Sequence, residues 1–131
     1  RQGQSRNDLN REKTVNREEV AKAIDLYIEG INTENVDIIP LTEDVEFRGP
    51  MLPEPIIGAA EVREHLAQIA PFFNATLVYL IIENDTAAAM LDLETISGVK
   101  MQGAGFFRVR DGAISFDQGF SDTHRLFKGG S

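Results

Sequence analysis

The order of patterns along the chain predicts an α+β domain, with three N-terminal helices packed on one face of an antiparallel sheet. Up to Ala70, apolar residues recur at helical spacing; from Thr76 to Phe120 they follow the period-two rhythm of strands. Between the helix patterns lies Phe47-Arg48-Gly49-Pro50-Met51-Leu52-Pro53-Glu54-Pro55-Ile56-Ile57-Gly58. Such a proline-studded loop, closing on glycine before a new helix, is turn chemistry.

Each element has its own signal. Asn16 reads as an N-cap, with Glu18 and Glu19 in a first turn that favours negative charge. Val20, Ile24, Tyr27, Ile28 and Ile31 then make one apolar stripe, and Gly30 and Asn32 mark its end. A second, short helix is expected over 33–41, ended by Pro40. Val45 and Phe47 flank Glu46 as a short strand. The third helix spans 59–70, with Val62, His65, Leu66 and Ile69 on its stripe, and Pro71 stops it.

Four strands follow. Residues 76–83 are apolar on both faces, which predicts a central strand. Asn84-Asp85 turns the chain into a strand over 87–96, and Ser97-Gly98 turns it again. A third strand covers 101–110, and Asp111-Gly112 is a strong hairpin dipeptide before the fourth, over 113–120.

Composition narrows the partners. A chain of 131 residues suits one core, and 42% hydrophobic with 26% charged residues is ordinary globular composition. The net charge of −8 argues against nucleic acid and against an anionic membrane as partners. With no cysteine, disulfides and thiolate metal sites are excluded. No apolar run approaches the roughly 20 residues of a membrane span, and no signal-peptide pattern is present, so a cytoplasmic protein is expected. Residues 1–15 carry only Leu9 and Val15 as large apolar side chains and read as a tag or flexible extension. Residues 16–128 form the expected domain, and Gly129-Gly130-Ser131 reads as a linker scar.

Local motifs carry a resemblance. Asp25-Leu26-Tyr27-Ile28-Glu29, Gly49-Pro50 with Glu54-Pro55 and Gly58, Val62-Arg63-Glu64-His65, Phe107-Arg108-Val109 and Ile114-Ser115-Phe116 occur in this order. Together they resemble the nuclear-transport-factor-2-like superfamily, which includes ketosteroid isomerases and SnoaL-like polyketide cyclases. The resemblance covers about residues 16–127. It implies a cone-shaped curved sheet wrapped on the helices around an apolar small-molecule pocket, and a homodimer through the outer sheet face. It also places Tyr27 on the isomerase oxyanion-hole tyrosine. The isomerase general base falls on Gly49, its second carboxylic acid on Gly105, and its supporting tyrosine on Leu66. A glycine neither takes nor gives a proton, so steroid isomerase chemistry is not expected.

The remaining candidates follow from residue type and face. Tyr27 is either a core tyrosine with one satisfied hydroxyl or a donor to a ligand oxygen. His65 replaces an apolar residue on its stripe and is either a packed core histidine or a proton shuttle. Asp92 and Glu94 alternate with Leu91 and Leu93. The bare pattern sends the leucines inward and the acids to solvent. The resemblance sends Met90, Asp92 and Glu94 into the cone, where Asp92 would be the replacement carboxylate with a raised pKa. Ala87, Ala89, Leu91 and Leu93 would then form the dimer face.

Phe116, Gln118 and Phe120 share one face of the last strand and are expected in the pocket, with Phe47 and Phe107. Asp117, Ser121 and Asp122 are expected at the surface or rim. Met51, Leu52, Pro53, Pro55 and Ile56 form an apolar loop over the mouth. No metal and no cofactor is expected. The expected function is a small-molecule pocket protein doing cofactor-free acid–base chemistry of the isomerase, cyclase, dehydratase or hydratase type on an apolar oxygenated substrate. The alternative is a non-catalytic ligand-binding or dimerisation module.

Overall fold

The computed structural model describes residues 6–121, with side chains from residue 16 onward. The fold is α+β: a curved, unclosed six-stranded sheet with helices on its inner side. Helix α1 is Arg6–Asn32. It runs straight through Asn16, so that residue is not its N-cap. Its stripe buries Val20, Ala23, Ile24 and Ile31. At Gly30, Ile39 packs so closely that a Cβ would lie 2.6 Å from Ile39 Cγ1.

The expected second helix is only a 3-10 turn, Val36–Ile38. Glu34 reverses the backbone at φ 57 and Pro40 follows, leaving too few residues to nucleate an α-helix. The described residues therefore hold two α-helices, not three.

Strand β1 (Leu41–Arg48) leads through the proline loop to the two-residue β2 (Ile56–Ile57) and helix α2 (Ala59–Ile69). Gly58 opens α2 at φ 107, which only glycine adopts without strain. Strands β3 (Phe73–Glu83), β4 (Thr86–Thr95), β5 (Lys100–Arg110) and β6 (Ala113–Ser121) form the meander. The sheet order is β2-β1-β6-β5-β4-β3. The β1–β6 pair is parallel and the others are antiparallel, so the sheet is mixed.

The β3 strand lies at the edge and not at the centre. Its doubly apolar sequence reflects an outward stripe of Tyr79 and Ile81 that solvent reaches, 66% and 64% exposed.

Two irregularities decide which residues face inward. In β3, Leu77 pairs with Leu91 but Tyr79 pairs with Met90, so Val78 is an extra residue. In β6, Ile114 pairs with Val109 and Phe116 with Arg108, so Ser115 is extra, and its hydroxyl reaches the Arg108 carbonyl at 3.4 Å. Each bulge bends its strand and reverses the in–out alternation beyond it. At the other end of the sheet, Asn32 fastens α1 to β3. Its Nδ2 donates to the Ala75 carbonyl and its Oδ1 accepts from the Ala75 N–H, both at 2.8 Å.

Candidate functional site

Helices and sheet border a cavity of about 390 Å³ that is open to solvent on one side. Its lining is almost wholly apolar. The roof is Gly49, Pro50, Met51 and Leu52, while Pro53, Pro55 and Ile56 of the same loop do not reach it. The polar side chains on its wall are Tyr27, His65, Thr95, Asp117 and Ser121, and no lysine or arginine lines it among the described residues.

Asp117 is the chemical centre of this wall. It is 2% exposed, the only charged residue among the described buried ones. The Ser115 bulge turns it inward. It stands in register with Phe47 of β1 on one side and Phe107 of β5 on the other. The two helices complete an arc. The Tyr27 ring meets Phe107 edge-on at 5.3 Å and 70°, and the His65 ring lies 5.2 Å from Phe47 at 55°. The Tyr27 hydroxyl is close enough to the Asp117 carboxyl for each to shift the other's proton affinity, and Asp117 Oδ2 is buried with no partner.

Burial governs the proton affinities. Desolvation pushes the Asp117 carboxyl up to about 7, and the neighbouring Tyr27 hydroxyl offsets only part of that rise. Tyr27 is raised well above its ordinary value, first by burial and then by the neighbouring Asp117 charge. Its hydroxyl therefore keeps its proton and serves as a donor. His65 is lowered from 6.5 by desolvation alone. The arrangement thus offers a carboxyl whose proton affinity is raised to about 7, a phenol that keeps its proton and an imidazole whose pKa is lowered, all lining one largely apolar cavity.

The expected site residues separate into three groups. Tyr27, His65 and Phe47 line the cavity; Phe120 borders its mouth, with its side chain 53% exposed. Phe107 is buried behind Tyr27, in the core. Met90, Asp92 and Glu94 do not reach the cavity. They are exposed on the outer face of β4, while Leu91 and Leu93 line the inside. The bare alternation was the correct reading of this strand. Ala87, Ala89, Leu91 and Leu93 face inward, so they form no outer stripe. Phe116 and Gln118 also point outward, because the bulge gives the inner positions to Asp117 and Gly119.

Asp117 itself was misplaced at the surface or rim. The missing signal was the bulge, for Ser115 is no glycine and nothing local announces it. Gly49 lies in the roof of the cavity and Leu66 is buried in the core. Asp122 lies outside the described residues. Among the described residues, no helix is long and apolar enough to cross a membrane.

Comparisons with known proteins agree with this architecture. The chain resembles a candidate ketosteroid isomerase from Kribbella flavida at 24% identity and TM-score 0.71, covering 80% of this chain and 78% of that one. It resembles an LEH-like epoxide hydrolase of M. tuberculosis at 19% identity and TM-score 0.73, over 85% and 88% of the two chains. A candidate SnoaL-like polyketide cyclase from Jannaschia sp. CCS1 matches at 13% identity and TM-score 0.75, over 98% and 96%. These likenesses show the fold. No curated protein matches. A family model described as SnoaL-like domain matches residues 24–116, and the chain belongs to that family, within the nuclear-transport-factor-2-like superfamily.

Proposed function

We propose that this protein binds a neutral, apolar, oxygenated small molecule and performs cofactor-free acid–base chemistry on it, of the isomerase, cyclase, dehydratase or hydratase type. One observation supports the reading: Asp117, in the wall of a largely apolar cavity and beside the Tyr27 phenol, holds a buried carboxyl oxygen with no partner in the protein. A ligand oxygen placed there accepts from Tyr27 and from protonated Asp117. The ionised form of Asp117 accepts a proton from the ligand. A carboxyl with a pKa near neutrality serves both directions at the operating pH. In this role Asp117 replaces Asp92, which faces solvent. The structural neighbours named for epoxide hydrolysis, ketosteroid isomerisation and polyketide cyclisation are consistent with such chemistry.

The protein is further proposed to work in the cytoplasm as a homodimer through the outer sheet face. The residues for that contact are Tyr79, Ile81, Met90 and Phe106, all exposed and apolar.

A binding-only module is the second reading, and one observation favours it. The lowered pKa of His65 comes from desolvation alone, with no charge contribution from Asp117, which gives no sign of a coupled acid–base pair. Turnover assays with an epoxide, an unsaturated ketone and a polyketone ester separate the readings. Acid–base catalysis predicts turnover of one of them that falls about 10²–10⁴-fold in Asp117→Asn. Tight binding of such a ligand without turnover supports the module.

A further inference from the structure

Three glycines lie on the inner face of β5 and β6, and they are not equivalent. Gly105 and Gly119 are directly paired across the strands, and Gly103 pairs with Ser121. A Cβ at Gly105 would meet the Phe107 ring at 2.7 Å, and one at Gly103 would meet Leu93 Cδ1 at 2.8 Å. Those two glycines make room for the protein's own side chains. At Gly119 the only atom within reach is Pro50 Cδ, at 3.8 Å, and both residues line the cavity. The space above Gly119 is left open by the protein. It also adjoins the chemistry, because Gly119 follows Asp117 by two residues on the same face, about 7 Å along the strand.

Resting on the small-molecule reading above, we propose that Gly119 determines ligand size: its missing side chain keeps open the space between Asp117 and Pro50, which receives the second ring or a branched carbon of the ligand. A flat fused-ring ketone fits this description. Its oxygen reaches Asp117 and Tyr27, and its far ring lies on the bare backbone of β6. A side chain at Gly119 leaves room for a single ring only. The backbone at Gly119 has no positive φ, so alanine or valine is conformationally acceptable there.

The test uses two neutral ketones, cyclohexanone and 2-decalone, titrated by NMR into the parent protein, Gly119→Ala and Gly119→Val. Melting temperatures of both variants and of Gly105→Ala are measured alongside. The expected result is that 2-decalone binding weakens tenfold or more in Gly119→Val, a change typical of misfit in an apolar pocket, while cyclohexanone binding changes less than about twofold. Gly119→Ala should melt at or above the parent temperature, because it fills open space and restricts the unfolded chain. Gly105→Ala should melt lower, because it collides with Phe107. Unchanged 2-decalone binding in Gly119→Val would overturn the proposal, as would equal loss of both ketones. So would a Gly119→Ala variant that melts as low as Gly105→Ala. If the parent binds neither ketone, the small-molecule reading fails and the proposal with it. The melting comparison still reports separately whether the space above Gly119 is empty.

Discussion

The two faces of the sheet invert the usual assignment of residue types. The inner face of β6 carries a carboxyl and a glycine, Asp117 and Gly119, at the wall of the cavity. The outer face of the same sheet carries Tyr79, Ile81, Met90 and Phe106 in contact with solvent. Phe106 and Phe107 are chain neighbours, yet one is 36% exposed and the other 2%. Burying an acid costs stability, since desolvation works against a charge with no compensating partner, and the proposed function gives Asp117 a reason to be there. A face that exposes a contiguous apolar patch is poised for a partner. On the proposed function, the contrast separates a ligand wall from an assembly wall within one layer of backbone.

The largest effect should fall on the neighbouring phenylalanines. Phe107→Ala is expected to cost about 3–5 kcal/mol, as for buried aromatic truncation. Phe106→Ala should change the stability of the isolated protomer by no more than about 0.5 kcal/mol. Urea unfolding of dilute protein checks both, and equal costs would erase the distinction between the faces.

The next effect is pH dependence. The folded-state pKa of Asp117 is raised from 3.8 to about 7, so the folded state holds a proton that the unfolded state releases. Its influence on stability is therefore unfavourable above pH 3.8, growing until about 7, and amounts to at most roughly 4 kcal/mol across that window. His65 has the opposite sign. Its folded pKa is lowered, so stability falls as pH drops through and below 6.5. Asp117→Asn should remove the decline on the alkaline side and leave the His65 decline in place. Unfolding free energies measured from pH 4 to 8 distinguish the two slopes.

The outer face is sharpened by a smaller change. Met90→Lys should shift a dimer toward monomer in sedimentation, by about 2 kcal/mol or more if Met90 lies at the centre of the contact. The same substitution should leave ligand binding in the cavity untouched. A parent protein that is monomeric at micromolar concentration would remove the assembly wall from the account.

The smallest effect tests the inner pair. Tyr27→Phe removes a neighbouring hydroxyl that lowers the Asp117 pKa. The midpoint should rise, with a stability change of about 1 kcal/mol.

Much of the scaffold was legible in the sequence. The stripes of α1 and α2 follow helical spacing closely enough to bring Tyr27 and His65 to one space. Asp111-Gly112 adopts positive φ at both residues, 53 and 78, as a tight hairpin turn requires. Legibility ended where strand alternation depends on a count. Leu91 and Leu93 follow simple alternation, and the bare pattern places them inside. Beyond Val78 and Ser115 the count is shifted by one, and every later side chain changes face. Neither bulge residue has a conformational signature in the sequence. Asp117 was consequently assigned to the rim and Phe116 to the pocket. The resemblance misled at Asp92 for a related reason: it supplied a direction for a face that the local pattern already described. The parallel β1–β6 pairing was equally hidden, because it joins segments far apart in the chain.

The central claim is that Asp117 is a dry carboxyl held for proton exchange with a ligand. The most direct measurement is the carboxyl-carbon NMR titration of aspartate-labelled protein, with Asp117 assigned through Asp117→Asn. The account predicts a midpoint near 7 that rises in Tyr27→Phe. A midpoint near the ordinary 3.8 would show a solvated carboxylate and contradict it.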